Sequence, residues 1–252
     1  HYPESNKEVF EKFGLDFIAE KPEDMLGKVD AVMVTARDGK FHPEFARPFV
    51  EAGLPMFIDK PFAVDPAEAL ALVRLAKSKN VPLVGGSSVK QTYDVRMMQH
   101  TVKSGLGGIH GGCVAAPVSM HNDYSGFFFY SSHLAEMSLT IFGYDPKAVT
   151  AFRNGDDVTV VVEYDKYTVT NHFMEGCYNA YHCTIFGKDR NVCRDIDISM
   201  CYQHECEDFA AMLHNGTMSH TYKQLITPVY YLNAIYESYN TGKTVKIEVP
   251  EV

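Results

Sequence analysis

Thr35, Asp59 and Lys60 are the polar residues whose positions first point to chemistry. Each stands at the end of an apolar run, the first running from Val29 to Thr35 and the second from Met56 to Ile58 before Asp59-Lys60-Pro61. In an open parallel sheet, ligands bind beyond the carboxyl ends of the strands, so a hydroxyl, a carboxylate and an ammonium should meet at one edge. An ammonium held between a strand end and a proline can steady an oxygen that gains negative charge. A second polar group, His121, Asn122, Tyr124 and Ser125, reads as a loop able to line a pocket. His182-Cys183 and His204 near Cys206 carry metal-ligating types, yet the six cysteines contain no C-x-x-C pair. No metal site is expected, and the thiols read as reduced and structural.

Positioning these residues requires alternating strands and helices. Val9, Phe10 and Phe13 recur at helical spacing within 5–13, and Gly14 stops that helix. A short strand over 17–19 and a helical turn over 22–26 follow. Pro43 and Gly53 bracket the next helix, with Pro48 inside it. Asp65, Pro66 and Glu68 open the clearest helix, which carries Ala69, Leu72, Val73 and Ala76 on one stripe and ends near Lys79. A strand over 81–84 ends at Gly85-Gly86. This alternation argues for an α/β sheet. After residue 87 the rhythm changes: a helix over 91–103, a glycine-rich turn at 105–108, a strand through Val118 and a helix over 132–142. Strand-like runs then succeed one another (149–152, 158–164, 167–173, 178–186 and 192–200), with turns at Asn154-Gly155, Asp165-Lys166 and Gly187-Lys188. Successive hairpins predict an antiparallel sheet. Helices over 205–213 and 222–239 and a strand over 245–248 close the chain.

The expected class is therefore α/β: a partial Rossmann-type parallel sheet followed by an α+β domain with a large, mostly antiparallel open sheet. The domains are expected at 1–87 and 88–252. Phe173, Met174, Tyr178 and Tyr181 on that sheet predict a homo-oligomer, a dimer or tetramer, through its open face. With 252 residues and a net charge of −9, the chain has no lysine- or arginine-rich run, which argues against a nucleic-acid partner. No stretch approaches the roughly 20 apolar residues of a membrane span, and no signal-peptide pattern opens the chain, so a cytoplasmic protein with a small-molecule partner is expected.

The text Asp30-Ala31-Val32-Met33-Val34-Thr35, His42, Glu51-Ala52-Gly53 and Asp59-Lys60-Pro61 resembles the Gfo/Idh/MocA oxidoreductases, which carry Glu-Lys-Pro at this point. The resemblance continues through Gly105 to Ile109, His133 with Phe142-Gly143, and Phe209, Asn215-Gly216 and Gly242. It implies an enzyme that uses NAD or NADP to move a hydride to or from a sugar, polyol or related hydroxyl compound. The family's lysine falls on Lys60 and its histidine on His133, in a pattern where Phe129 replaces an aspartate and Tyr130 is the substitute proton carrier. Cofactor contacts are implied for Thr35, Arg37, His42, Asp59 and Lys60, and substrate contacts for Lys90, Asn122 and Tyr124.

Alcohol oxidation needs such types, because a base must take the hydroxyl proton while hydride leaves the same carbon. An imidazole with a pKa near 6.5 suits that role for His133, and Lys60 suits the developing alkoxide. Two alternatives are a glycoside hydrolase that uses NAD transiently and a non-catalytic sugar-binding or scaffold protein. The chain begins in what reads as the middle of a βαβ array with no G-x-G-x-x-G before Thr35, so a preceding segment of roughly 40 residues or more is expected.

Overall fold

The computed structural model describes residues 6–104 and 106–252. Ser5, the expected start of the first helix, and Gly105 of the expected turn lie outside the described residues. Helix α1 (Asn6–Phe13) precedes a 3-10 turn at Pro22–Met25, and then come β1 (Val32–Val34), α2 (His42–Glu51), β2 (Met56–Asp59), α3 (Pro66–Lys79) and β3 (Leu83–Gly86). The strands form one parallel sheet in the order β1-β2-β3, with Val34 beside Ile58 and Asp59 beside Gly86. All three carboxyl ends therefore lie at one edge. Phe17–Ala19, expected as a strand, makes no ladder, since β1 pairs with β2 alone among the described residues. Strandedness depends on a partner, which local composition does not supply.

Helix α3 is anchored at its start by Asp65, whose carboxylate accepts from the N–H groups of Ala67 and Glu68, and Asn80 ends it at a φ of 54°. Its apolar stripe joins Val32, Val34, Met56, Ile58 and Leu83 in the first core.

Beyond β3 a 3-10 turn at Ser88–Gln91 leads to α4 (Tyr93–Ser104), β4 (Ile109–Val118) and α5 (Phe127–Phe142). Five more strands follow, β5 (Ala148–Asn154), β6 (Asp157–Glu163), β7 (Thr168–Glu175), β8 (His182–Gly187) and β9 (Asn191–Asp195). Helices α6 (Cys201–Asn215) and α7 (Tyr222–Thr241) and strand β10 (Val245–Lys246) end the chain. The second sheet runs β10-β5-β6-β7-β4-β8-β9. It is antiparallel except between β4 and β7, so the expected run of hairpins is broken: β4 lies between β7 and β8. Helix α5 starts at Phe127, five residues before its expected start, because an aromatic run that reads as loop packs as helix, with Phe127 only 4% exposed.

The inner face of this sheet packs on α4, α5 and α7 through Val114, Val160, Phe173, Leu134 and Leu232. Phe173 and Tyr181, expected on the open face, are buried in this core. Met174 is half-buried, and Tyr178 is exposed in the loop before β8. Helix α7 also reaches the first core through Leu225, Ile226 and Val229, while Met212 and Phe209 of α6 cover Phe57 and Val84 on the other face of the first sheet. No helix among the described residues is long and apolar enough to cross a membrane.

Candidate active site

Strand β2 carries Lys60 just past its end, and α5 faces it. The Lys60 ammonium donates to the carbonyl oxygen of Phe129 at 3.1 Å and lies 4.1 Å from the centre of that ring and 5.4 Å from the ring of Tyr130. Burial lowers its pKa, Asp59 opposes that, and Arg37 adds to it. The Asp59 carboxyl is raised by burial, against the pull of Lys60 and His42.

His133 lies one turn beyond Phe129, on the same face of α5. It is 8% exposed, its ring meets Tyr130 edge to face at 4.8 Å, and the Tyr181 ring stands 6.3 Å away. Ser87, at the end of β3, places its Oγ 2.7 Å from His133 Nδ1. Burial first, and then the charge of Lys60, bring the His133 pKa down to about 3. The imidazole is therefore neutral at any ordinary pH. Lys60, Tyr130 and His133 are brought together; Phe129 and Tyr130 border a cavity of about 220 Å³ that also touches Ser119, Glu175 and Cys177.

Other expected residues frame this centre. His42 is fully buried, with its ring nitrogens 2.8 Å from the carbonyl oxygen of Pro61 and 2.7 Å from that of Ala36, so it ties the segment after β2 to the loop after β1. Arg37 lies over the Tyr124 ring at 4.6 Å, and Tyr124 packs on Phe129 at 5.2 Å. Asn122 spends its side chain inside its own loop, donating to the carbonyls of Ser119 and Gly126 and accepting from the N–H of Tyr124. Ser125 donates to Asp38 at 2.5 Å, which joins that loop to the first half of the chain. Thr35 is exposed at the end of β1, beside a separate cavity of about 440 Å³ that Val34, Ala36 and Phe45 also line.

Lys90, expected to contact substrate, borders a cavity of about 590 Å³ with Gln91, Tyr144 and His220. It is 3% exposed and donates to Glu136 at 2.6 Å, while the other Glu136 oxygen accepts the N–H of Ser87 at 2.8 Å. A Cβ on Gly86, whose φ is +84°, would collide with that carboxylate, so glycine lets the two elements close up. This buried pair locks the end of β3 to α5 one turn past His133.

Ser87, Glu136 and Glu205 were not singled out from sequence, and Tyr181 was singled out only for the sheet's open face. Glu136 had a visible signal, as the lone charged residue of α5 and three residues from His133. Glu205 is buried on α6, and burial first, then Asp59, raise its pKa to about 8. Ser87 is one serine among many in the text, and only the fold puts it against the imidazole. Among the described residues no group of three or more His, Cys, Asp or Glu is arranged to hold a metal.

The edge suits the nicotinamide end of a dinucleotide. Asp59 offers a half-buried carboxylate that can accept from a sugar hydroxyl, Thr35 offers an exposed hydroxyl that can donate to or accept from one, and Lys60 follows Asp59.

Residues 1–87 match the family model described as oxidoreductase family, NAD-binding Rossmann fold. No curated protein matches the chain. Among solved structures, a probable dehydrogenase from Thermotoga maritima superposes with a TM-score of 0.85 at 17% identity, over 96% of this chain and 88% of that one. Myo-inositol 2-dehydrogenase from Lactobacillus plantarum does so with a TM-score of 0.83 at 17% identity, over 97% and 89%. Scyllo-inositol dehydrogenase from Lactobacillus casei, solved with NAD(H) and scyllo-inositol, has a TM-score of 0.83 at 14% identity, over 96% and 89%. At these identities the likeness is one of fold, and it extends through both sheets. Over its first 87 residues the chain is thus similar to the oxidoreductase family with an NAD-binding Rossmann fold, and its fold through both sheets is that of these solved dehydrogenases.

Proposed function

We propose that this protein is an NAD-dependent oxidoreductase that interconverts a hydroxyl and a carbonyl on a sugar, polyol or related compound. The observation that carries the reading is the approach of Lys60, just past the first sheet, to Tyr130 of α5, whose ring in turn packs against His133. The inositol substrates named for the Lactobacillus enzymes support the substrate class by analogy of fold.

When bound, the nicotinamide supplies the hydride acceptor or donor. Thr35 and Asp59 would hold the nicotinamide riboside, with His42 and Arg37 fixing the loop they stand on. Lys60 orients the reacting oxygen and offsets its developing charge in a site from which burial has removed much of the water. Tyr130 and His133 complete the hydrogen bonds to that oxygen, and the Asn122–Tyr124 loop closes one wall. The domain boundary belongs near residue 87, between the sheet that carries Lys60 and the half that supplies His133.

Lys60→Ala tests the assignment. With inositols and aldoses screened by nicotinamide absorbance, turnover should fall by about 10²- to 10³-fold, the usual cost of losing one charge-stabilising group. Stability should stay within about 1 kcal/mol, since the ammonium is desolvated at some cost and bonds one carbonyl. Turnover by Lys60→Ala equal to the parent, or failure of the parent to bind NAD in a fluorescence titration, would overturn the reading.

A further inference from the structure

The hydrogen-bond count around Ser87 decides which nitrogen of His133 carries the proton. Ser87 is fully buried. Its Oγ accepts the N–H of Val89 at 3.2 Å and lies 2.7 Å from His133 Nδ1. Among the described residues the hydroxyl proton has no other acceptor. Were Nδ1 protonated, it would donate to Ser87 Oγ and leave a buried O–H with nothing to bond, the costly case for a polar group away from water. The arrangement that satisfies every group has Ser87 donating to an unprotonated Nδ1. A neutral imidazole then carries its single proton on Nε2, which has no protein partner among the described residues.

We infer that Ser87 is a positioning residue that fixes His133 as the Nε2–H tautomer, so that His133 serves as a neutral hydrogen-bond donor to the reacting oxygen and Lys60 carries the proton. The tautomer stands on the geometry alone, whereas its chemical use rests on the oxidoreductase reading. The groups that face the imidazole agree with it. Lys60 from the end of β2 repels a second proton, and Tyr130 and Tyr181 present aromatic rings. Among the described residues no carboxylate is bonded to the ring, and the nearby Glu136 is committed to Lys90 and the Ser87 N–H. Burial holds the ring neutral, which a donor of this kind requires.

In the oxidation direction the Lys60 amine would take the substrate O–H proton, with a bound oxidised nicotinamide as the hydride acceptor that the C=O bond formation requires. His133 Nε2–H holds the oxygen throughout, and neither ring nitrogen changes its proton. In the reverse direction the Lys60 ammonium would return the proton to that oxygen, with a reduced nicotinamide as the hydride donor. Burial favours the amine form of Lys60 that this exchange needs.

Two-bond ¹H–¹⁵N correlation spectra of the protein labelled at its histidine imidazoles read the tautomer directly, with the His133 signal identified by its loss in His133→Gln. The expected parent pattern is protonated Nε2 and unprotonated Nδ1, unchanged from pH 6 to pH 8. Ser87→Ala should lose that single pattern to a mixture of tautomers, and Ser87→Thr, which keeps the hydroxyl, should restore it. A parent spectrum with Nδ1 protonated, an imidazolium in that range, or an unaltered pattern in Ser87→Ala overturns the inference. These spectra are taken without cofactor or substrate. An Nε2–H pattern in a protein that fails to bind NAD would therefore sink the oxidoreductase reading and leave the tautomer standing.

Discussion

Glu205 is a buried carboxyl whose proton is held to about pH 8 by burial and by the neighbouring Asp59. Its folded pKa lies above its ordinary value of 4.5, so the folded state binds the proton more tightly. The stability it contributes is complete below pH 4.5 and is lost as pH rises through 8. His133 and His220 act in the opposite sense: each is lowered to about 3 from 6.5, so stability falls on acidification below 6.5. Between pH 6.5 and 8.5 Glu205 should therefore dominate among these three. Thermal melts over that window should show the parent losing stability with rising pH, and Glu205→Gln should flatten the curve. Equal slopes in the two proteins would rule the assignment out.

At the scale of elements, the site depends on how rigidly β2, β3 and α5 are held. Helix α3 backs β2 and β3, and it is started by one side chain, since Asp65 satisfies two N–H groups that no helical carbonyl can reach. Asp65→Ala should cost about 1 kcal/mol in urea denaturation, while Asp65→Asn, which keeps the accepting oxygen, should cost less. A loss of under about 0.3 kcal/mol for Asp65→Ala would mean that tertiary packing alone fixes the helix start. Helix α5 is held differently. Its Ser138 donates to Asn171 of β7, and Asn171 in turn donates to Tyr231 of α7, a fully buried relay that sets the helix against the second sheet. These side chains are polar text in a core, and their pairing is legible only once the three elements have met.

For the molecule as a whole, the outer face of the second sheet is the surface on which an expectation of assembly rests. Thr150, Phe152, Val161, Thr170, Thr184 and Phe186 point outward, Phe152 at 55% and Phe186 at 43% exposure, with almost no charge between them. We propose that this face seats a second copy of the chain. A lysine at its centre should then prevent association: Val161→Lys is expected to sediment as a monomer where the parent is an oligomer, with its circular dichroism unchanged. A parent that sediments as a monomer at micromolar concentration would discard this proposal. Of the aromatic residues that first suggested an interface, Phe173 and Tyr181 are turned inward and Tyr178 is exposed. A period of two tells which residues share a face, and the helices packed on one side decide which face is inner.

The amino-acid sequence determined what depends on neighbours close along the chain. Apolar runs ending in Thr35 and Lys60, the capped stripe of α3 and the glycine and proline stops set the parallel sheet and its edge, because strand and helix periods are local properties. It also located Lys60 and His133 through their surrounding text. Tertiary structure alone decided the insertion of β4 between β7 and β8, the failure of 17–19 to become a strand, and the commitment of Lys90 to Glu136. The same holds for Ser87 and His133, which lie 46 residues apart and meet at 2.7 Å. A hydrogen bond depends on distance in space and on which partners remain unfilled, and neither quantity is written in residue order.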